Sequence, residues 1–277
     1  MISIFQAIIL GTLQGVSELF PVSSLGHSVL LPAILHWDIN QSSDSFISFV
    51  VLTHLATALA LVLYFYRDWL RIIRDMVRSI IDRRIETAHA RIGWLIVVSS
   101  IPVGILGLLF QAKVQLLFAA PRLVAIALIL NGIVLMVADA LGRYSQIGVD
   151  DRKLARMTWL QATWVGLAQC VALIPGFSRT GVTMTASLAN GFSHDNAARY
   201  SFLLSAPVIF AAAILKVPHI ITHHGEWSSA IAGFICAAIA AYVSVHYLTK
   251  HFQTKKLRPF AIYCIVAGFV ALALLAF

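Results

Sequence analysis

Residues 11–27 read GTLQGVSELFPVSSLGH, and the fold turns on how this stretch stops being a membrane helix. It begins as an apolar run of the kind that crosses a bilayer. It then carries Glu18, Pro21, Ser23, Ser24 and His27 at a depth where every polar atom is costly, and an ionisable residue there points to function. Residues 166–183 read GLAQCVALIPGFSRTGVT and match the first stretch at a constant offset of 155: Gly11 with Gly166, Gln14 with Gln169, Val16 with Val171, Ser23 with Ser178 and Gly26 with Gly181. The chain therefore reads as duplicated, with one repeat over about residues 1–141 and the other over about 158–277, in a single membrane domain.

Of 277 residues, 60% are hydrophobic and 12% charged, and mean hydropathy is +0.87; soluble domains carry roughly 25% charged residues. A polytopic all-α membrane protein is the expected class. The formal charge of +8 would elsewhere suggest nucleic acid. Here 15 of the 20 Lys and Arg fall in three loops between apolar runs, at residues 67–91, 142–157 and 250–258, which is how charge orients a protein in a bilayer. No nucleic-acid partner is expected. Cys170, Cys236 and Cys264 sit singly in apolar runs and imply neither a disulfide framework nor a metal site. The first residues lack the basic start and small-residue cleavage site of a signal peptide, so Met1–Val16 is expected to stay in the mature protein.

A spanning helix needs about 20 apolar residues, and the first run is interrupted too early to reach that length. A short apolar piece follows over Ser28–Leu35, which predicts a helix-loop-helix that enters the membrane and returns, its tip lined by protein or water. Full spans are expected over Phe46–Tyr66, Ile92–Phe110, Leu123–Leu141, Ser201–Val217, Ser229–Leu248 and Phe260–Phe277. Pro102 and Gly104 predict a kink in the second of these, and His54 in the first is read as a hydrogen-bonded packing residue. Between spans, residues 67–91 predict an amphipathic helix on the cytoplasmic surface. Thr158–Leu173 and Val182–Ala189, broken at Pro175-Gly176, form the second re-entrant pair, entering from the opposite side. Six spans plus two re-entrant pairs make an inverted repeat, with both termini outside.

SELFPVSSLGH preceded by Gln14, together with PGFSRTGVT, resembles the paired signature of the bacterial undecaprenyl-diphosphate phosphatases, the bacitracin-resistance type integral membrane enzymes. Their first motif is written (E/Q)xxxE followed by PxSSxGH, their second PGxSR. Gln14 stands where many members have a first Glu, and Leu25 where a small hydroxyl residue is usual. The resemblance covers essentially the whole chain. It implies a multi-pass enzyme of the inner membrane that opens to the periplasmic side, takes a polyprenyl diphosphate lipid and releases inorganic phosphate. It also implies that Ser24 is catalytic.

That chemistry needs phosphate charge neutralised, a nucleophile supplied and a proton moved. Arg179 is the phosphate clamp, because its planar fork binds phosphate oxygens bidentately; pairing with Glu18 across the repeats to bury both charges is a compatible reading. Ser24 is the candidate nucleophile, and in a helix His27 would share its face and serve as base, then acid. Ser23 reads as a helix cap, and backbone N–H groups after Pro21 and Pro175 add an anion site. Ser23, Ser178, Thr183 and Gln14 complete the phosphate-binding set. Glu18 has three readings: base or orienting group, counter-ion of Arg179, or ligand of a Mg²⁺ or Ca²⁺ bridging the diphosphate. An inverted-repeat transporter or lipid flippase is the alternative from another class, and a homodimer is left open.

Overall fold

The computed structural model describes residues 2–141, 154–222, 227–254 and 257–276, and all regular structure among them is helical. In chain order the helices are α1 Ile4–Leu19, α2 Ser24–Ile34, α3 Asp44–Tyr64, α4 Tyr66–Ile81, α5 Ala88–Leu117, α6 Pro121–Leu141, α7 Trp159–Cys170, α8 Arg179–Ala189, α9 His194–Thr222, α10 Trp227–Thr254 and α11 Arg258–Leu274. A 3₁₀ turn at Val171–Leu173 extends α7. Among the described residues, five helices (α3, α5, α6, α9 and α10) are long and apolar enough to cross a membrane. The expected sixth span is α11, whose 17 residues reach about 26 Å at 1.5 Å per residue, against a hydrocarbon core of about 30 Å.

The outer surface supports the same class. Helix α5 turns Ile101, Ile105, Leu108 and Leu109 outward, the last 71% exposed. A patch of this kind is unusual on a protein bathed in water and is solvated by lipid tails. The chain is an all-α, multi-pass membrane protein.

Boundaries differ from the expected ones where no stop signal exists. Helix α5 runs on to Leu117, for 30 residues, rather than ending at Phe110, because residues 111–117 contain neither Pro nor Gly and are mostly good helix formers. Pro102 lies inside that helix. Pro218, just past the expected end of the span at Val217, lies within α9. In the first pair the returning helix starts at Ser24 instead of Ser28, since Ser23 caps it by accepting the Gly26 N–H at 3.1 Å. Of the basic loop residues, Arg143, Arg152, Lys153, Lys255 and Lys256 lie outside the described residues. Helix α4 is amphipathic, exposing Leu70, Ile73 and Val77 beside its arginines, and Trp94 on α5 donates to its Ser79 hydroxyl at 3.0 Å.

Two short helices, α1 and α7, lead into the two motif loops, and they are placed in matching ways. Each opens on a capping box, Ser3 with Gln6 and Thr158 with Gln161, and these positions too differ by 155. Each then presses a glycine against the backbone of a long helix: a Cβ on Gly11 would lie 2.2 Å from the Gly233 carbonyl oxygen of α10, and one on Gly166 would lie 2.4 Å from the Ser99 carbonyl oxygen of α5. Without a hydrophobic force between helices in lipid, such close approach supplies the packing energy.

This contact is testable. Gly11→Ala should destabilise the protein by about 1–3 kcal/mol through overpacking, seen as a lower melting temperature in detergent. Gly104→Ala, where nothing lies within 4 Å of the added carbon, should leave it unchanged. Equal melting temperatures for the two variants would contradict the α1–α10 contact.

Candidate active site

Glu18 lies in the last turn of α1 and is 6% exposed, so its charge must be met by protein. Arg179, the first residue of α8, donates from Nη2 to its Oε1. The other oxygen, Oε2, accepts from the Ser24 hydroxyl at 2.5 Å and from Gln14 Nε2 at 3.1 Å, and His54 Nε2 lies 3.2 Å away. Thr180 donates to the Glu18 main-chain carbonyl at 3.1 Å. Residues from α1, α2, α3 and α8 thus converge on one carboxylate.

The loops before α2 and α8 are held at the correct distance by polar groups. Ser23 sits at φ 69°, in the left-handed region that is uncommon for a residue with a side chain. What holds it there is a set of bonds: its hydroxyl accepts from the Gly26 N–H and from the Gly176 N–H of the second loop, both at 3.1 Å. Gly176 has φ 108°, and a Cβ there would lie 2.5 Å from the Val124 carbonyl oxygen, so only glycine fits. Asn131 of α6, fully buried, joins the loops a second time. Its Nδ2 donates to the Pro21 carbonyl at 3.0 Å and its Oδ1 accepts from the Ser178 N–H at 2.9 Å. As a result the N-termini of α2 and α8 line one cavity with Glu18 and Arg179. The first N–H groups of a helix have no partner within it and favour an anion.

That cavity holds about 280 Å³. Beyond its polar groups (Glu18, Ser23, Ser24, His54, Gln169, Ser178 and Arg179) it is walled by Val50, Val103, Phe118, Phe177 and other apolar side chains. An anionic head with a hydrocarbon tail matches this division.

Not every expected residue meets there. Ser24, Glu18, Arg179, Ser23 and Ser178 line the cavity. Gln14 stands behind Glu18 and braces it from one helical turn away. Thr183 turns from the cavity, its hydroxyl 2.8 Å from the Arg179 carbonyl and 2.8 Å from Ser201 Oγ. His27 is also directed elsewhere. Its Nδ1 lies 2.7 Å from the Ser23 carbonyl and its Nε2 2.8 Å from the Tyr263 hydroxyl, and it borders a separate groove with Leu30 and Tyr263. A carbonyl only accepts, so Nδ1 carries the hydrogen and Nε2 takes the tyrosine's. Both nitrogens are then satisfied without Ser24.

His54, read from sequence as a packing residue, is the histidine that lines the cavity and lies beside Glu18. Its Nδ1 donates to the Val50 carbonyl at 2.7 Å, which leaves Nε2 facing Glu18. Asn131 was not singled out from sequence. The usable signal for both is a side chain of this polarity inside an apolar span.

A resident divalent cation, held by protein donors alone, does not fit the described residues of the cavity. Among the described residues Glu18 is the only carboxylate lining the cavity, its oxygens already face Arg179, Ser24, Gln14 and His54, and no group of three His, Cys, Asp or Glu is arranged to hold a metal. A resident Mg²⁺ would want several oxygen ligands and would sit against a guanidinium.

Comparison with known proteins agrees with the motifs. The model of the bacitracin resistance protein BacA matches residues 7–270. The chain is 41% identical to the undecaprenyl-diphosphatase of Mycolicibacterium paratuberculosis, over 99% of this chain and 98% of that protein. It is 40% identical to undecaprenyl-diphosphatase 2 of Chromobacterium violaceum (96% and 97% covered) and 41% identical to undecaprenyl-diphosphatase 1 of Burkholderia pseudomallei (98% and 96%). With the match spanning nearly the whole sequence and both motifs in place, the chain belongs to the BacA family.

Proposed function

We propose that this chain hydrolyses undecaprenyl diphosphate to undecaprenyl phosphate and inorganic phosphate at the bacterial cytoplasmic membrane, returning the carrier lipid to cell-wall synthesis. One observation carries the reading: the Glu18 carboxylate is shared by the Ser24 hydroxyl and the Arg179 guanidinium in the wall of an apolar cavity. A hydroxyl already bonded to a carboxylate has a base in place. A flippase has no need of that pairing.

The chemistry follows from these contacts. The diphosphate enters with its prenyl tail along the apolar wall, and its oxygens draw Arg179 and the two helix N-termini to themselves. Glu18, relieved of its counter-charge, takes the Ser24 proton as Oγ attacks the terminal phosphorus. The bond from that phosphorus to the bridging oxygen breaks, and the lipid monophosphate leaves. Water then attacks the phosphoserine, giving its proton to the Glu18–His54 pair. Phosphate departs, Ser24 regains its hydrogen from Glu18, and the proton that water gave up leaves His54 for solvent. His54, with Nδ1 on the Val50 carbonyl, turns Nε2 to Glu18, where a proton can pass between them.

The halves 1–141 and 158–277 are read as an inverted repeat whose two broken elements meet at this site. The paired capping boxes, the paired Ser23 and Ser178 caps and the paired glycine contacts support it. So does the exchange of partners, with α1 lying on α10 and α7 on α5. The cavity is read as opening to the periplasm. Its lining includes Ile47 near the start of α3 and Val114 and Phe118 near the end of α5. Those ends lie away from the arginine-rich α4, which joins the end of α3 to the start of α5.

Phosphate release from purified protein in detergent tests the activity. Ser24→Ala should nearly abolish it, and Arg179→Lys, which keeps charge but loses the fork, should lower it at least tenfold, about 1.4 kcal/mol of transition-state stabilisation. His54→Ala should cost more than His27→Ala; the reverse order would return the proton-transfer role to His27. In a variant free of native cysteines, Asn40→Cys should react with an impermeant thiol reagent on intact cells and Glu86→Cys should not. Labelling at residue 86 alone would invert the orientation.

A further inference from the structure

Gln169 lies on α7 and lines the same cavity. It is 1% exposed, and neither Nε2 nor Oε1 has a hydrogen-bond partner in the protein. A buried amide left unpaired is destabilising, in lipid above all, and persists where something else satisfies it. The repeat shows what has changed. Its counterpart Gln14 donates to the carboxylate four residues on, Glu18, whereas the residue four after Gln169 is Leu173. The second copy keeps the amide and lacks the acid.

What the amide meets is set by its neighbours. Arg179, Ser178 and Ser24 share its cavity, with two helix N-termini. All of these suit an oxyanion. We infer that Gln169 is a further substrate ligand, its Nε2 donating to a phosphate oxygen of the diphosphate and its Oε1 accepting from a phosphate hydroxyl or a bound water. This rests on the phosphatase reading for the identity of the substrate, though not for the presence of an anion. The site then reads the head group from both sides, with Arg179 as the charged contact and Gln169 as the neutral one. A neutral donor stays available when Arg179 returns to Glu18 after turnover.

The test uses the full-length protein in detergent, with Gln169→Leu and, as a second variant of the same length, Gln169→Met. Inorganic pyrophosphate serves as the binding probe, and kcat and KM are measured on the lipid diphosphate. Both variants should keep or raise the melting temperature, because an unpaired amide has been removed. Pyrophosphate binding should weaken, and KM rise, by about tenfold or more. Binding and KM within twofold of wild type would overturn the assignment. A large fall in melting temperature for both variants would also overturn it, by making the amide structural. If wild type releases no phosphate from the lipid yet the variants still lose pyrophosphate, the phosphatase reading fails and the anion-ligand role stands.

Discussion

The ion pair between Glu18 and Arg179 joins residues 161 apart in sequence, and much of the structure exists to make it. A carboxylate removed from water costs several kcal/mol even after relaxation, and a guanidinium does too. Their attraction offsets this only when the remaining hydrogen-bonding capacity is also met. Here it is met by Ser24 and Gln14 on one oxygen and Arg179 on the other, with His54 beside them. Breaking the pair from one side would leave an uncompensated charge in an apolar interior. The two short helix pairs are therefore obliged to meet end to end, and the meeting point is where phosphate chemistry becomes available.

The same obligation explains the strained and polar elements around it. Ser23 is held at a left-handed φ by bonds to both loops, Gly176 fills a place no side chain would fit, and Asn131 ties the loops together from a third helix. Such features are expected where surrounding structure over-determines a backbone for function. They also set a division of labour. Ser23 joins the two loops although it stands next to Ser24, and the hydroxyl that reaches the carboxylate is that of Ser24, in the first turn of α2.

Much of this was legible in the amino-acid sequence. Apolar runs broken by Glu18, Pro21 and Pro175 predicted short paired helices, and the 155-residue offset predicted that the second pair resembles the first. Glu18, Ser24 and Arg179 are found together as the motifs required. The histidines were harder. Spacing of three residues puts His27 on a helical face with Ser24, yet it says nothing about Tyr263, 236 residues away, which takes the ring's free nitrogen. His54 lies in a helix with no other acid-base group near it in sequence, so its nearness to Glu18 is a tertiary fact. The length of α5 was missed because polarity was read as a loop, whereas a helix stops only where capping or propensity stops it.

Covalent attack by Ser24, made possible by its bond to Glu18, is the central claim, and trapping the reaction tests it most directly. Wild-type protein mixed with lipid diphosphate is quenched in acid within a single turnover, and the peptide spanning residues 19–35 is weighed by mass spectrometry. A phosphoserine at Ser24 is the expected result, absent in Ser24→Ala. No phosphopeptide at any time point, together with substantial turnover in Ser24→Ala, would show that water attacks the diphosphate directly.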